Sequence, residues 1–230
     1  MLNCARNHRG TATKAAMPVV LLCLFFVTLC LGFAEPSLAA GTAAAARQCV
    51  VQAGNAVDSA DATAFEKLVD VDGILAKALD IFVRQAKQPE VAAEMPPMLA
   101  ILFAQAGSGE QGSATVRAVL LSESRAFIVN GISSGAFAGR KVDGRASQGV
   151  LAPLFADAST GRKEIRQVGE ARAKNGDWLV PFTVYDHGNG ESYRVTGRVS
   201  FDGNSTGRLV AVENLEALMG QVADESRSIQ

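Results

Sequence analysis

Asn175-Gly176-Asp177-Trp178-Leu179-Val180-Pro181-Phe182-Thr183-Val184-Tyr185 is the stretch on which the fold turns. Asn-Gly is the strongest short signal for a two-residue hairpin, because both residues accept positive φ. Behind it Trp178, Val180, Phe182 and Val184 alternate with Leu179, Pro181, Thr183 and Tyr185. After the Gly-rich turn from Asp186 to Gly190 a second alternation begins. Tyr193, Val195, Gly197, Val199 and Phe201 interleave with Ser192, Arg194, Thr196, Arg198 and Ser200. Period two with one apolar set marks an antiparallel sheet with one dry and one wet face. Lys163 to Lys174 supplies a polar, strand-like run ahead of the hairpin, and Leu209 to Val212 continues the sheet. Pro181 has no N–H to give a ladder, so its strand is expected at an edge or bulged there. Asn214 to Val222 reads as a short closing helix.

Upstream the period is helical. Residues 40–60 are Ala-rich, with Gln48, Gln52 and Asp58 at helical spacing. Asp61 is a good N-cap, and Phe65, Leu68, Val69, Leu75, Leu79, Phe82 and Val83 then share one face until Lys87 and Pro89. Asp72 reads as the cap of a restart at Gly73. Pro96-Pro97 opens a short helix that is apolar nearly all round. After the Gly107–Gly112 loop, Ser113 caps a third helix through Val116, Leu120, Phe127 and Ile132, fading near Gly131 to Gly139. Residues 139–150 read as a solvated loop. Helices first and strands after give an α+β fold: N-terminal helices packed on one face of a curved antiparallel sheet of three or four strands.

The first 39 residues have the pattern of an export signal. Arg6, Arg9 and Lys14 precede an apolar run from Val19 to Phe33, and Ser37-Leu38-Ala39 offers small residues to a signal peptidase. Cleavage is expected near Ala39 or Ala40, making the protein periplasmic or secreted. The alternative is a retained anchor, since roughly 20 apolar residues span a bilayer; a membrane association is expected only in that case. Leu29 before Cys30 speaks against a lipoprotein anchor. The organisation expected is a signal peptide over 1–39, an Ala-rich segment over 40–57, a single α+β domain over 58–222 and a polar tail over 223–230.

Without residues 1–39 the chain holds 19 basic and 22 acidic residues, a formal charge of −3. No clustered basic footprint for nucleic acid is expected from that balance. Of the four cysteines only Cys49 remains, so no internal disulfide and no Cys-rich zinc site can form. Cys49 reads as a small apolar residue of the first helix, with an intermolecular disulfide as the alternative.

The order of elements over residues 58–220 resembles the nuclear transport factor two-like, or cystatin-like, α+β superfamily in an exported bacterial form of no assigned function. Phe65-Glu66-Lys67-Leu68-Val69-Asp70 and Gly176-Asp177-Trp178-Leu179-Val180 are the strongest local matches. The resemblance is one of pattern, and it implies a fold and not a function.

The chemistry-bearing residues are few. Counted from Asp202, oxygens at Asp202, Asn204 and Thr206, then Gly207 and Glu213, come near the spacing of a calcium loop. A strand rather than a helix precedes them and only two carboxylates are present, so a hairpin turn is the plainer reading and no metal is expected. Asn204-Ser205-Thr206 also fits a glycosylation acceptor. His187, the only histidine after residue 39, lies in a Gly-rich turn and reads as solvated. No catalytic set and no cofactor motif is read. Trp178, Tyr185, Tyr193 and Glu213 are the candidates for contact with a ligand. The function expected is an exported, non-catalytic binding or assembly module whose partner is a small apolar ligand or a second copy of the chain. Arg194, Thr196, Arg198 and Ser200 offer a wet face to such a copy. The alternatives are a small pocket enzyme using carboxylate and Tyr chemistry, built from Asp186, Glu191 or Glu213, and a membrane-tethered accessory domain.

Overall fold

Asn175 and Gly176 both take positive φ, 52° and 88°, and close a two-residue hairpin between β2 (Arg172–Lys174) and β3 (Asp177–Asp186). Lys174 stands opposite Asp177 across it. The computed structural model describes residues 41–89, 91, 100–101, 110–142, 161–202 and 206–228. All of them lie in the unit Ser37–Gln230. The helix expected at Pro96-Pro97, the end of the 139–150 loop and Asn204 fall outside the described residues.

The sheet is antiparallel and five-stranded. β4 (Ser192–Phe201) lies between β3 and β5 (Gly207–Val212), and β1 (Lys163–Arg166) and β2 share the other side of β3. β1 pairs with Thr183–Asp186 and β2 with Asp177–Leu179, so they run end to end as one interrupted edge. Pro181 therefore corrects one expectation: its strand is central. The interruption falls in the neighbour instead. Gly169 donates its N–H to the Pro181 carbonyl at 2.8 Å. A strand residue's N–H and C=O point the same way, so the missing Pro181 donor faces the gap between β1 and β2. Gln167, at φ 51°, turns the chain there.

Alternation divides the faces as expected. Val180 and Val199 are wholly buried, with Phe182, Val195 and Leu209 beside them. A bulge at Arg198/Val199 adds one residue to β5 and keeps Leu209 on the dry side. That side is covered by α1 (Ala43–Ser59), whose Ala46, Cys49, Val50 and Ala53 enter the same core. Their spacing is helical, and small residues let the helix lie close to the strands. Thr42 caps α1 by accepting the Ala45 N–H at 3.1 Å.

The periodic run after Asp61 is two helices, and the restart lies slightly earlier than Asp72 and Gly73 suggest. α2 (Ala62–Leu68) is capped by Asp61, which accepts the Ala64 N–H at 2.8 Å, and α3 is Val71–Gln85. Between them Val69 is extended and pairs in parallel with Leu209. Asp70 donates its N–H to the Leu209 carbonyl at 2.8 Å. The restart thus comes at Val71 with Asp70 at the cap, two residues before the expected Gly73. The apolar face runs on through the break, which is why periodicity alone does not reveal it.

α4 (Glu110–Ser133) begins before Ser113, so Ser113 lies inside it and Glu110 to Gly112 are helical rather than loop. Its end forms a second core: Ile132 packs with Val57 and Phe137, and Phe127 meets the Phe137 ring edge-on at 5.6 Å. Arg125 ties it to Glu66 and, at 3.1 Å, to Asp72. α5 (Leu215–Ser228) follows β5 and runs on past Val222. Asn214 fixes its start by accepting the Thr196 N–H at 2.8 Å and donating to the Arg194 carbonyl at 2.7 Å. Among the described residues, no helix is long and apolar enough to cross a membrane.

Candidate functional site

α1 covers the dry face toward one end of the strands. At the other end the sheet, α3 and α5 border a solvent-open pocket of about 770 Å³. Val184, Tyr193 and Val195 form its floor. Phe82 and Gln85 of α3 wall one side, with Gln88 and Val91 after the helix. Leu215, Leu218, Met219 and Val222 of α5 wall the other. The spacing of these α5 residues, at three and four, gives the helix an apolar stripe directed at the sheet. Glu216 and Asp224 bring the carboxylates of the lining. Glu216 is held by Arg84 at 3.2 Å, which also bridges α5 to α3. The volume lies within the range of ordinary ligand pockets, roughly 300–1,000 Å³.

The ligand candidates read from the sequence do not converge. Tyr193 lines the cavity, and its hydroxyl accepts from the Asn189 amide at 2.9 Å. Trp178 is on the same dry face but packs against the core opposite Val199. Tyr185 is on the wet face. Glu213 follows β5 on that wet face, held by Lys174 at 2.9 Å and by Arg198. Lys174 first, and Arg198 with it, hold its carboxyl below the usual range. Val184, Val195 and the α5 stripe were not singled out, because only the return of α5 across the sheet makes them a cavity. Alternation marks Val184 and Val195 as dry-face residues, and the apolar spacing from Leu215 to Val222 marks the stripe, but neither signal shows that the two meet.

Of the calcium-loop residues, Asp202 accepts the Thr206 N–H at 3.0 Å and so builds the turn, while Glu213 is committed to its two cations. Among the described residues no group of three His, Cys, Asp or Glu side chains is disposed to hold a metal.

The wet face carries a compact polar cluster. His187 Nε2 lies 2.8 Å from Glu164, Arg166 lies 2.6 Å from the same carboxylate, and the Arg166 guanidinium sits 4.0 Å over the Tyr185 ring. The His187 ring meets Tyr185 edge-on at 4.7 Å. Arg166 first and His187 next hold the Glu164 carboxyl down to about 2. These are exposed pairs, whose net stabilisation is small. Asp186, by contrast, is buried, accepts from Lys163 at 2.7 Å and from the Gly188 N–H at 2.8 Å, and shapes the turn. Burial lowers the Lys163 ammonium and Asp186 opposes that shift. Asp186 and Glu213 thus serve opposite faces of the sheet, and Glu191 is exposed on the turn.

Cys49 is buried, and its thiol lies 3.2 Å from the Gly207 carbonyl. Burial pushes it up to about 11, against a smaller opposing pull from the Leu209 backbone. Fold and cavity together define an α+β domain with a pocket between the sheet and its closing helix. No family model, curated protein or solved structure matches this chain.

Proposed function

We propose that this protein is an exported, non-catalytic binding module whose ligand is a small apolar molecule held between the sheet and α5. The cavity carries the reading: a space of about 770 Å³ floored by Val184 and Val195 and walled by an apolar helix stripe. The apolar lining of this open pocket faces water, and a bound apolar molecule would take that surface out of water and add dispersion contacts. Membership of the nuclear transport factor two-like superfamily remains part of the proposal, supported by the order of helices and strands. Export is supported by the sequence of residues 1–39. The test is native mass spectrometry of the chain recovered from its exported fraction. A small adduct on the folded protein, lost when Met219→Trp fills the cavity, supports the reading. A mass that never exceeds the bare chain, also after exposure to a neutral naphthylamine dye, counts against it.

A further inference from the structure

α5 holds a glycine that its own fold does not require. Gly220 lies inside the helix, where glycine is less favourable than alanine because it has more backbone freedom to lose. Close packing explains other glycines of this chain. A Cβ at Gly41 would stand 2.7 Å from the Phe201 ring, and at Gly131 and Gly197 it would run into Phe137 and Leu209. At Gly220 a Cβ would meet nothing within 4 Å among the described residues. No positive φ calls for glycine there either. Yet Gly220 lines the pocket. It stands one helical repeat after Glu216 and one before Asp224, which also belong to the lining, so the three share one flank of α5 beside the apolar stripe. Between those two side chains Gly220 leaves a notch of bare backbone.

We infer that Gly220 is a size-determining residue of the pocket: its missing side chain leaves the room in which the body of an apolar ligand lies against the α5 backbone. This rests on the proposed pocket and goes further by naming a residue that sets the width of what fits. The empty fold gives up helix stability at Gly220 and gains no side-chain contact in return. A bound molecule that fills the notch supplies the contacts. Stability given up at a binding position is a recurrent trade in proteins. A methyl group at this position takes part of the room, and a leucine side chain takes most of it.

The experiment measures uptake of a neutral naphthylamine dye and urea unfolding for the parent chain, Gly220→Ala, Gly220→Leu and Ala217→Leu. Ala217 is exposed on the same helix and outside the lining, so it controls for a larger side chain on α5. Gly220→Ala is expected to raise the urea midpoint, through helix propensity, and to weaken uptake several-fold. Gly220→Leu is expected to weaken uptake by roughly tenfold or more, with a midpoint no lower than the parent's. Ala217→Leu is expected to leave uptake unchanged. Uptake by Gly220→Leu equal to the parent's shows that the notch opens to water and not to the ligand, and overturns the inference; the pocket stands if Met219→Trp still blocks the dye. Should Gly220→Leu fail to fold, parental uptake by Gly220→Ala overturns it in the same way. A lowered midpoint in Gly220→Ala overturns it too, because the fold itself would then need the glycine. So does a loss in Ala217→Leu equal to that in Gly220→Leu. A parent chain that takes up no dye overturns the pocket and the inference together.

Discussion

Gly176 sits at φ 88°, where a Cβ is disfavoured by about 1–2 kcal/mol. Gly176→Ala is expected to lose about that much stability, read as a lower urea midpoint at unchanged slope. Asn175→Gly, at φ 52°, is expected to shift it far less. Cys49 makes a prediction of its own. Its thiol is raised from 9.0 to about 11 in the folded state, so the neutral form is the one that folding favours. That contribution is whole below pH 9.0 and is lost as pH rises toward about 11, because the unfolded chain has by then released its proton. Unfolding free energy should fall across that window, and Cys49→Ala should flatten the fall. At pH 8 the thiol should react slowly with a disulfide reagent in the native protein and rapidly in urea, since the thiolate is the nucleophile.

Among the elements, the β2–β3 turn and the β3–β4 pair were legible because their signals are local: Asn175-Gly176 for the first, and strict alternation from Trp178 to Phe201 on either side of a Gly-rich turn for the second. The break between α2 and α3 was legible only as a restart near Asp72 and Gly73; its true place, with Asp70 at the cap, was not. Nothing near Val69 interrupts the apolar face, and the break is made by a partner far along the chain, the Leu209 carbonyl. Pro181 was read correctly as a missing donor but placed wrongly, because whether the gap lies in its own strand or in the neighbour depends on pairing. The Glu164–His187 contact was hidden for the same reason: it needs the β1–β3 register that sets Glu164 opposite Tyr185. That cluster has an acid signature. Glu164 is held down to about 2, so its interaction is present above the ordinary value of 4.5 and is lost as pH falls through about 2. Carboxyl NMR should show this low midpoint, and Arg166→Gln should return it toward 4.5; an unmoved midpoint would remove Arg166 as the main cause. The entry to β1 depends on a close approach. A Cβ on Gly161 would stand 2.5 Å from the Gly188 backbone nitrogen. Gly161→Ala is expected to cost about 1–3 kcal/mol and to shift amide resonances across residues 186–190.

On the scale of the whole molecule, α1 and the sheet make the main core while α3, α5 and the strand ends leave a cavity beside it. The class of fold was readable from the order of periods. The cavity was not, because it is a property of how α5 returns over Val184 and Val195, and no residue type advertises it. Tyr193 alone among the four ligand candidates lines it. Aromatic content drew attention to Trp178 and Tyr185, which belong to the core and to the wet face.

The most direct test is a fluorescence titration of the protein with a neutral naphthylamine dye, beside the variant Met219→Trp. A binding pocket between sheet and α5 predicts saturable uptake of one dye per chain, weakened roughly tenfold or more in the variant while its urea midpoint stays near that of the parent. No saturable uptake, or equal uptake by the two proteins, would contradict it.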